Sequence, residues 1–339
     1  NGEVLAQPGP DYSVYIRWLA QQDKKAAQRF WQAELGSIEG PTFLSKALST
    51  SPPDRSGFAQ VYTRLSAEET RRLQSFAQHL HITLNTFVQA AWALLLQRYT
   101  GKETIIFGAT VAGRPPSLFR ADEILGLFIN TIPVPVERRS EMTVTEYLSA
   151  LQEKNARLRD YEHTSLADIQ RWAGYSGQPL FDSIIVFENY PITAALQSED
   201  RYGLRFGDIA GKGLTGYAMD LQVVIGDCLE IEYAYGCGDF TDDFVLNLRS
   251  QMEGLMREMM MHPQRAVGEL GWLGEQTLDQ LFLLRSDADG SSGQHNEPVH
   301  RCIEQNAAQC PDAIALLLGE QEISYAELNT RANRLAHHL

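Results

Sequence analysis

The feature that most constrains the fold is a break in composition over residues 285–298, RSDADGSSGQHNEP. This stretch is polar, rich in glycine and serine, and free of large apolar side chains, which is typical of a flexible linker. The chain has 339 residues, enough for two domains of ordinary size. The sequence therefore predicts one large domain over residues 1–284, a linker over 285–298, and the start of a second domain over 299–339.

The large domain carries alternating helix and strand patterns. A capping box at residues 66–69 opens one helix, Asn85 and Thr86 open a second, and residues 104–111 form a strand rich in Ile and Val. Helical spacing is also present at 12–19, helices are predicted at about 26–35, 144–161, 165–173 and 244–261, a strand at 181–187, and a hairpin of strands 217–225 and 229–235. This mixture predicts an α/β fold, built as an α+β sandwich of helices on a sheet.

The last part of the sequence, residues 299–339, also alternates predicted helices and strands. A helix is predicted at 299–309, strands at 313–318 and 322–324, and a further helix from Tyr325 onward. So short a piece cannot bury enough surface to stand alone. Since the chain also begins at Asn1 without a starting methionine or a cleavable leader, we expect both ends to be cuts in a longer protein.

Bulk properties exclude several classes of function. The formal net charge of −14 at pH 7 argues against nucleic acid as a partner, because phosphate binding needs a basic face. No apolar run approaches the roughly 20 residues that cross a membrane. The four cysteines lack metal-site spacing, so we expect reduced thiols and a cytoplasmic protein.

Short motifs give no catalytic centre by themselves. The GxGxxG match at residues 211–216 is followed by a strand rather than a helix, so we interpret it as a loop. His79 and His81 flank one residue of a predicted helix and point apart, and Asp287 and Asp289 lack the later ligands of a calcium loop. No metal site is predicted, and residue chemistry alone leads only to a soluble α/β domain.

A family resemblance goes further. Residues 124–131, ILGLFINT, resemble the (I/V)GxFVNT motif of condensation domains in nonribosomal peptide synthetases. Further similar segments stand in the family's order: YSVYIRWL at 12–19, GATVAGRP at 108–115, YEHTSL at 161–166 and QPLFD at 178–182. After the linker, CPDAIA at 310–315 and ISYAELN at 323–329 resemble the opening of an adenylation domain. The chain thus resembles the C-terminal half of a condensation domain followed by a truncated adenylation start.

The resemblance implies a lobe like that of chloramphenicol acetyltransferase, which forms one wall of a tunnel between two lobes. Carrier domains upstream and downstream would present acyl groups on phosphopantetheine, and the acceptor amine would attack the donor thioester to form an amide. A complete adenylation domain would use ATP and Mg, which we do not expect this piece to bind. Its partners would be the carrier domains, the missing N-terminal lobe and the adenylation domain, with no membrane or nucleic acid.

The family's catalytic motif, His-His-x-x-x-Asp-Gly, does not occur in this sequence, because His337-His338 is followed only by Leu339. No catalytic residue is therefore assigned, and we expect the piece alone to be inactive. The face meant for the absent lobe would be exposed. Two alternatives remain open: a non-catalytic docking module, and a free-standing acyltransferase that uses coenzyme A.

Five residues are candidates for lining the substrate tunnel or supporting the active site: Gly126, Asn130, Thr131, Arg114 and His163. The Asn130 amide could contact substrate or could make a structural hydrogen bond that holds the end of a strand. The Arg114 guanidinium is expected either to form an ion pair or to brace the active-site region. We interpret His163 as the entry to a helix rather than as a catalyst.

Overall fold

The computed structural model describes residues 9–48, 54–115, 117–188, 215–271, 299–318 and 321–336. It divides the chain into two compact units, Asn1–Gly274 and Glu275–Leu339, and each is described here by itself. The proposed linker at 285–298 and the loop at 211–214 lie outside the described residues, so the predicted boundaries near 284 and 298 stay predictions.

The first unit is a mixed α/β structure. Its helices are α1 (Ser13–Ala20), α2 (Lys24–Glu34), α3 (Ala67–His79), α4 (Leu84–Thr100), α5 (Val144–Arg159), α6 (Leu166–Trp172) and α7 (Asp242–Met261). Its strands are β1 (Phe58–Arg64), β2 (Thr104–Val111), β3 (Asn130–Glu137), β4 (Ser183–Glu188), β5 (Met219–Ile225) and β6 (Leu229–Gly236). Short 3-10 turns occur at Ala121–Glu123 and Val267–Glu269.

The six strands form one sheet in the order β1-β6-β5-β4-β2-β3. Strands β2, β4 and β5 run parallel to one another in the middle, and the pairs β2–β3, β5–β6 and β1–β6 are antiparallel. The β5–β6 pair confirms the predicted hairpin about Gly226-Asp227, with Ile225 opposite Leu229. Predicted strand ends differ from the observed ones by at most two residues.

Helix α4 lies at the centre of the unit. Every residue from Thr86 to Gln97 is buried, because the helix contacts β2 and the helices α3, α5 and α7. Thr83 caps its start by accepting a hydrogen bond from the Thr86 N–H, and Gly101 ends it in the left-handed region at φ +68°. The predicted capping box is also confirmed: the Ser66 hydroxyl and the Glu69 carboxylate cap α3 reciprocally.

Two local predictions need correction. Strands β1 and β3 were not predicted as strands: β1 is an edge strand in which Thr63 alone is buried, and β3, at the other edge, contains Pro133 and Pro135. His79 and His81 do not share a helix, since α3 ends at His79 and His81 follows it with a φ of +54°. Among the described residues, no group of His, Cys, Asp and Glu could hold a metal ion.

The second unit contains α8 (Val299–Gln309), β7 (Ile314–Leu318), β8 (Gln321–Ser324) and α9 (Tyr325–Ala336). This order is the predicted one, and β7 pairs antiparallel with β8. In neither unit does a described helix combine the length and the apolar character needed to cross a membrane.

Candidate functional site

Several of the segments that resemble condensation-domain motifs contact one another in the first unit. A small apolar cluster, distinct from the main core, consists of Tyr15, Leu118, Ala121, Ile124 and Phe128. Helix α1 supplies one side of this motif cluster. The other side is the segment 117–129 that leads into β3, called here the apolar loop.

Tyr12 fixes the middle of the apolar loop and explains Gly126. Its hydroxyl donates a hydrogen bond of 2.6 Å to the Leu127 carbonyl, and its ring lies edge-on to Phe128, with ring centroids 5.5 Å apart. A Cβ atom at Gly126 would lie 2.1 Å from the Tyr12 ring. The glycine is therefore required because an aromatic side chain occupies the space that any other residue would need.

Arg114 braces the beginning of the apolar loop. Its guanidinium donates hydrogen bonds to the carbonyls of Ala121 and Ile124, the latter at 3.1 Å, and lies 4.3 Å from the centroid of the Phe128 ring. The ion pair considered from the sequence is not found, since no carboxylate among the described residues lies within ion-pair distance of Arg114. The preceding Gly113 has a φ of +63°, and a Cβ there would lie 1.8 Å from the Phe128 carbonyl oxygen.

Asn130, the first residue of β3, holds the turn that precedes α6. Its Nδ2 donates to the carbonyls of Glu162 at 2.8 Å and Thr164 at 2.7 Å. Its Oδ1 accepts from the Thr131 N–H at 2.9 Å, and Thr131 pairs with Thr110 in the sheet. Both amide N–H groups are thus used by backbone carbonyls, which corresponds to the structural alternative for this side chain.

His163 lies in the turn that Asn130 holds. Its half-buried ring packs edge-on against Trp18, with centroids 5.4 Å apart, and makes no hydrogen bond within the described part of the chain. Burial lowers the pKa of His163 and raises the pKa of the neighbouring Glu162, because a low-dielectric site disfavours either charged form. Two residues later, the Ser165 hydroxyl caps α6 by accepting from the Asp168 N–H.

The apolar loop is braced from inside yet exposes large side chains outward. Leu125 is 91% exposed, Leu127 74% and Phe119 79%, whereas Ile124 and Phe128 are buried. Ile129, the last residue of the loop, is 53% exposed, and Ile16 in α1 is 50% exposed. A firmly held loop with this much exposed apolar surface is typical of an interaction site. The sequence predicted an exposed face in general terms but did not identify Phe119 as part of it.

Comparison with known sequences identifies a matching family and several relatives. Residues 1–282 match the family model described as "Condensation domain". The chain is 35% identical over 333 residues to a linear gramicidin synthase protein of Brevibacillus parabrevis, covering 97% of this chain and 4% of that protein. It is 31% identical over 336 residues to surfactin synthase subunit 3 of Bacillus subtilis, covering 98% of this chain and 26% of that protein. The chain therefore spans only a small part of these relatives.

Solved structures share the fold at lower identity. A four-domain nonribosomal peptide synthetase bound to AMP and glycine matches with a TM-score of 0.65 and 18% identity, covering 94% of this chain and 25% of that one. The first condensation domain of the calcium-dependent antibiotic synthetase, in complex with a substrate analogue, has a TM-score of 0.59 and 14% identity, covering 77% and 56%. These matches confirm a mixed α/β fold of the chloramphenicol acetyltransferase-like kind.

Proposed function

This chain belongs to the condensation-domain family of nonribosomal peptide synthetases, and we propose that its first unit is the C-terminal lobe of an amide-forming domain. The substrates would be two acyl groups held as thioesters on the phosphopantetheine arms of carrier domains. The acceptor amine attacks the donor thioester carbonyl, an amide bond forms, and the donor thiol leaves as its carbon–sulfur bond breaks. Tethering both reactants in one channel would supply much of the rate.

The observation that carries this proposal is the braced apolar loop. Tyr12 and Arg114 hold its backbone carbonyls, while Leu125 and Leu127 point apolar surface away from the unit. A second lobe that covers these side chains would gain the free energy of burying them. We propose that this contact closes one wall of the reaction channel, with Gly126, Asn130, Thr131, Arg114 and His163 supporting the wall.

We propose that the proton-accepting group comes from outside these 339 residues. The His-His-x-x-x-Asp-Gly motif does not occur in the sequence, and a general base must lie within hydrogen-bonding reach of the amine that it serves. We therefore propose that the chain by itself forms no amide. The other lobe would supply the imidazole.

We further propose that the second unit is the opening of an adenylation domain. The motifs at 310–315 and 323–329 support this. So does the coverage of solved structures, which rises from 77% of this chain for a condensation domain to 94% for a four-domain synthetase. ATP and Mg would act only on the complete domain. The cytoplasmic location stays a prediction.

An assay of amide formation tests the proposal. Two carrier domains loaded with aminoacyl groups are mixed either with this chain or with a longer synthetase protein that also contains the histidine motif, and the carrier-bound dipeptide is measured by mass spectrometry. We expect product with the longer protein and none above background with the chain alone. Turnover by the chain alone would contradict the proposal.

The same assay distinguishes the two alternatives. Carrier binding without product by the longer protein would favour the docking module. Product from coenzyme A thioesters alone would favour the free-standing acyltransferase.

A further inference from the structure

Helix α1 depends on its neighbours to remain helical. It spans only 8 residues, Ser13–Ala20, and isolated helices shorter than about 12–15 residues are marginal in water. Tyr15 is its one buried residue, and the cluster that Tyr15 joins is separate from the main core. Contacts with the apolar loop and the turn before α6 must therefore supply the free energy that keeps α1 folded.

Three aromatic side chains attach α1 to these two segments. Tyr12, Tyr15 and Trp18 are spaced three residues apart, so they lie on one side of the helix. The centroid of the Tyr15 ring lies 4.3 Å from that of Phe128, and the Trp18 ring covers His163 edge-on. Among the described residues, the bond donated by the Tyr12 hydroxyl is the only hydrogen bond that joins α1 or its N-cap to another segment.

The apolar loop has a second anchor that does not involve α1. Arg114, in the turn after β2, holds the carbonyls of Ala121 and Ile124 and contacts the Phe128 ring with its guanidinium. Strand β2 belongs to the sheet, and its side chains enter the main core. The loop can therefore keep its position through Arg114 while the contacts to α1 are broken.

Helix α2, which follows directly, is attached in a different way. Asp23 caps it by accepting from the Lys25 and Ala26 N–H groups, and its Trp31 is fully buried in the main core. Separating α2 from the unit would open the main core, whereas separating α1 would open only the small cluster. Segments with few buried apolar contacts have the lowest free energies of local opening.

We propose that α1 is a strap, one that opens by local unfolding while the main core and the loop held by Arg114 stay folded. Opening uncovers the rings of Phe128 and His163, so that a partner gains access to them only when the strap is open. This inference does not depend on amide formation, because it concerns packing within this chain alone.

Hydrogen exchange of the full 339-residue chain at increasing, sub-denaturing urea tests the strap. We expect protection factors in α1 at least about a hundredfold below those in α4, because α1 opens without the core. The α1 rates should change little with urea, since a local opening exposes little surface. Equal protection in α1 and α4, with equal dependence on urea, would overturn the inference because α1 would then open only on global unfolding.

Tyr15→Ala tests what the strap covers. It removes the contact with Phe128 and leaves the Trp18 ring, which covers His163, in the chain. We expect protection in α1 to fall at least about tenfold while that in α4 is unchanged. His163 should react with diethylpyrocarbonate at least about fivefold faster, as peptide mass spectrometry would show, because the strap is open more often. Tyr12→Phe, which removes one hydroxyl bond, should lower α1 protection about fivefold and serves where Tyr15→Ala does not fold.

Ile16→Ala is the matched control, since Ile16 lies on the exposed side of the same helix and alanine favours helix more strongly. Neither α1 protection nor the slow reaction of His163 should be lost. Unchanged protection and reactivity in both folded aromatic variants would show that the aromatic side does not hold α1, and would overturn the inference. Equal losses of protection in α1 and α4 would also overturn it, because α1 would then belong to the main core.

Discussion

The main core and the motif cluster of the first unit are built in different ways. In the main core, α4 is buried on all sides and large residues such as Trp31, Trp92 and Phe107 are fully enclosed. In the motif cluster, a few buried side chains are held by hydrogen bonds and by one cation–π contact. Their chain neighbours Leu125 and Leu127 remain exposed.

This difference between the main core and the motif cluster shows that apolar residues have two roles in the unit. Side chains in the main core stabilise this unit by themselves, because water is already excluded from them. The exposed side chains of the apolar loop stabilise nothing until another surface covers them. Polar contacts from Tyr12 and Arg114 position the loop, whereas packing positions the main core, so substitutions in the two regions should have different signatures.

The largest expected effect is in the main core. Trp92 is fully buried, and its Nε1 donates to the Ser183 hydroxyl at 3.3 Å. Trp92→Ala should lower the free energy of unfolding by about 3–5 kcal/mol, measured by urea denaturation. Leu127→Ala, at a residue that is 74% exposed, should change it by less than about 0.5 kcal/mol. Similar losses in both would remove the distinction between the regions, and Trp92→Phe serves where Trp92→Ala does not fold.

A smaller effect is expected at Gly126. The Cβ of Gly126→Ala would collide with the Tyr12 ring, which its hydroxyl bond and ring contacts keep from moving away, so a loss of about 1–3 kcal/mol is predicted. Gly254→Ala is the control: this glycine lies inside α7 with nothing within 4 Å of the added Cβ. It should stabilise by about 0.5–1 kcal/mol. A neutral Gly126→Ala would show that the motif cluster is not tightly braced.

Asn130→Ala tests how much single side-chain hydrogen bonds contribute near the motif cluster, compared with packing in the main core. It removes the donors to the carbonyls of Glu162 and Thr164, and a loss of about 1–2 kcal/mol is expected. Hydrogen exchange should accelerate in residues 161–166 and stay unchanged in α4. Unchanged exchange in that turn would contradict a bracing role and favour a substrate contact for this amide.

The smallest effect is a dependence on pH at His163. Burial lowers the pKa of His163 below its ordinary value of 6.5. At a pH below 6.5, the unfolded chain therefore binds a proton at this ring more readily than the folded chain does. The stability contributed by the neutral ring is complete above about pH 6.5 and is lost as the pH falls through the lowered value. His163→Gln should therefore lose less stability than the wild type between about pH 7 and about pH 5.5. An equal loss in both would assign the pH dependence to other groups.

Local signals in the sequence predicted much of the main core. The capping box at Ser66, the apolar stripe of α4 and the turn at Gly226-Asp227 each act over a few residues, so the sequence was enough to place α3, α4 and the β5–β6 hairpin. Strand β1 was missed because it is an edge strand with one buried residue, and its apolar alternation is limited to Ala59 and Val61. Its place beside β6 depends on long-range pairing.

The candidate site was less predictable for the same reason. The family resemblance drew attention to Gly126, Asn130 and Arg114, but their contacts join residues distant in the chain, such as Tyr12 with Leu127 and Asn130 with Thr164. The sequence of an apolar run such as residues 124–129 also does not distinguish side chains that enter a core from side chains that face a partner.

Hydrogen exchange in the apolar loop tests the central claim most directly. The amides of residues 125–129 are compared between this chain and a longer synthetase protein that carries the other lobe, with β1 as the internal reference. We predict exchange at least about tenfold slower in the loop of the longer protein, because the partner lobe would cover it and oppose its opening, and no change in β1. Equal exchange rates in the two proteins would show that nothing packs there and would contradict the proposal.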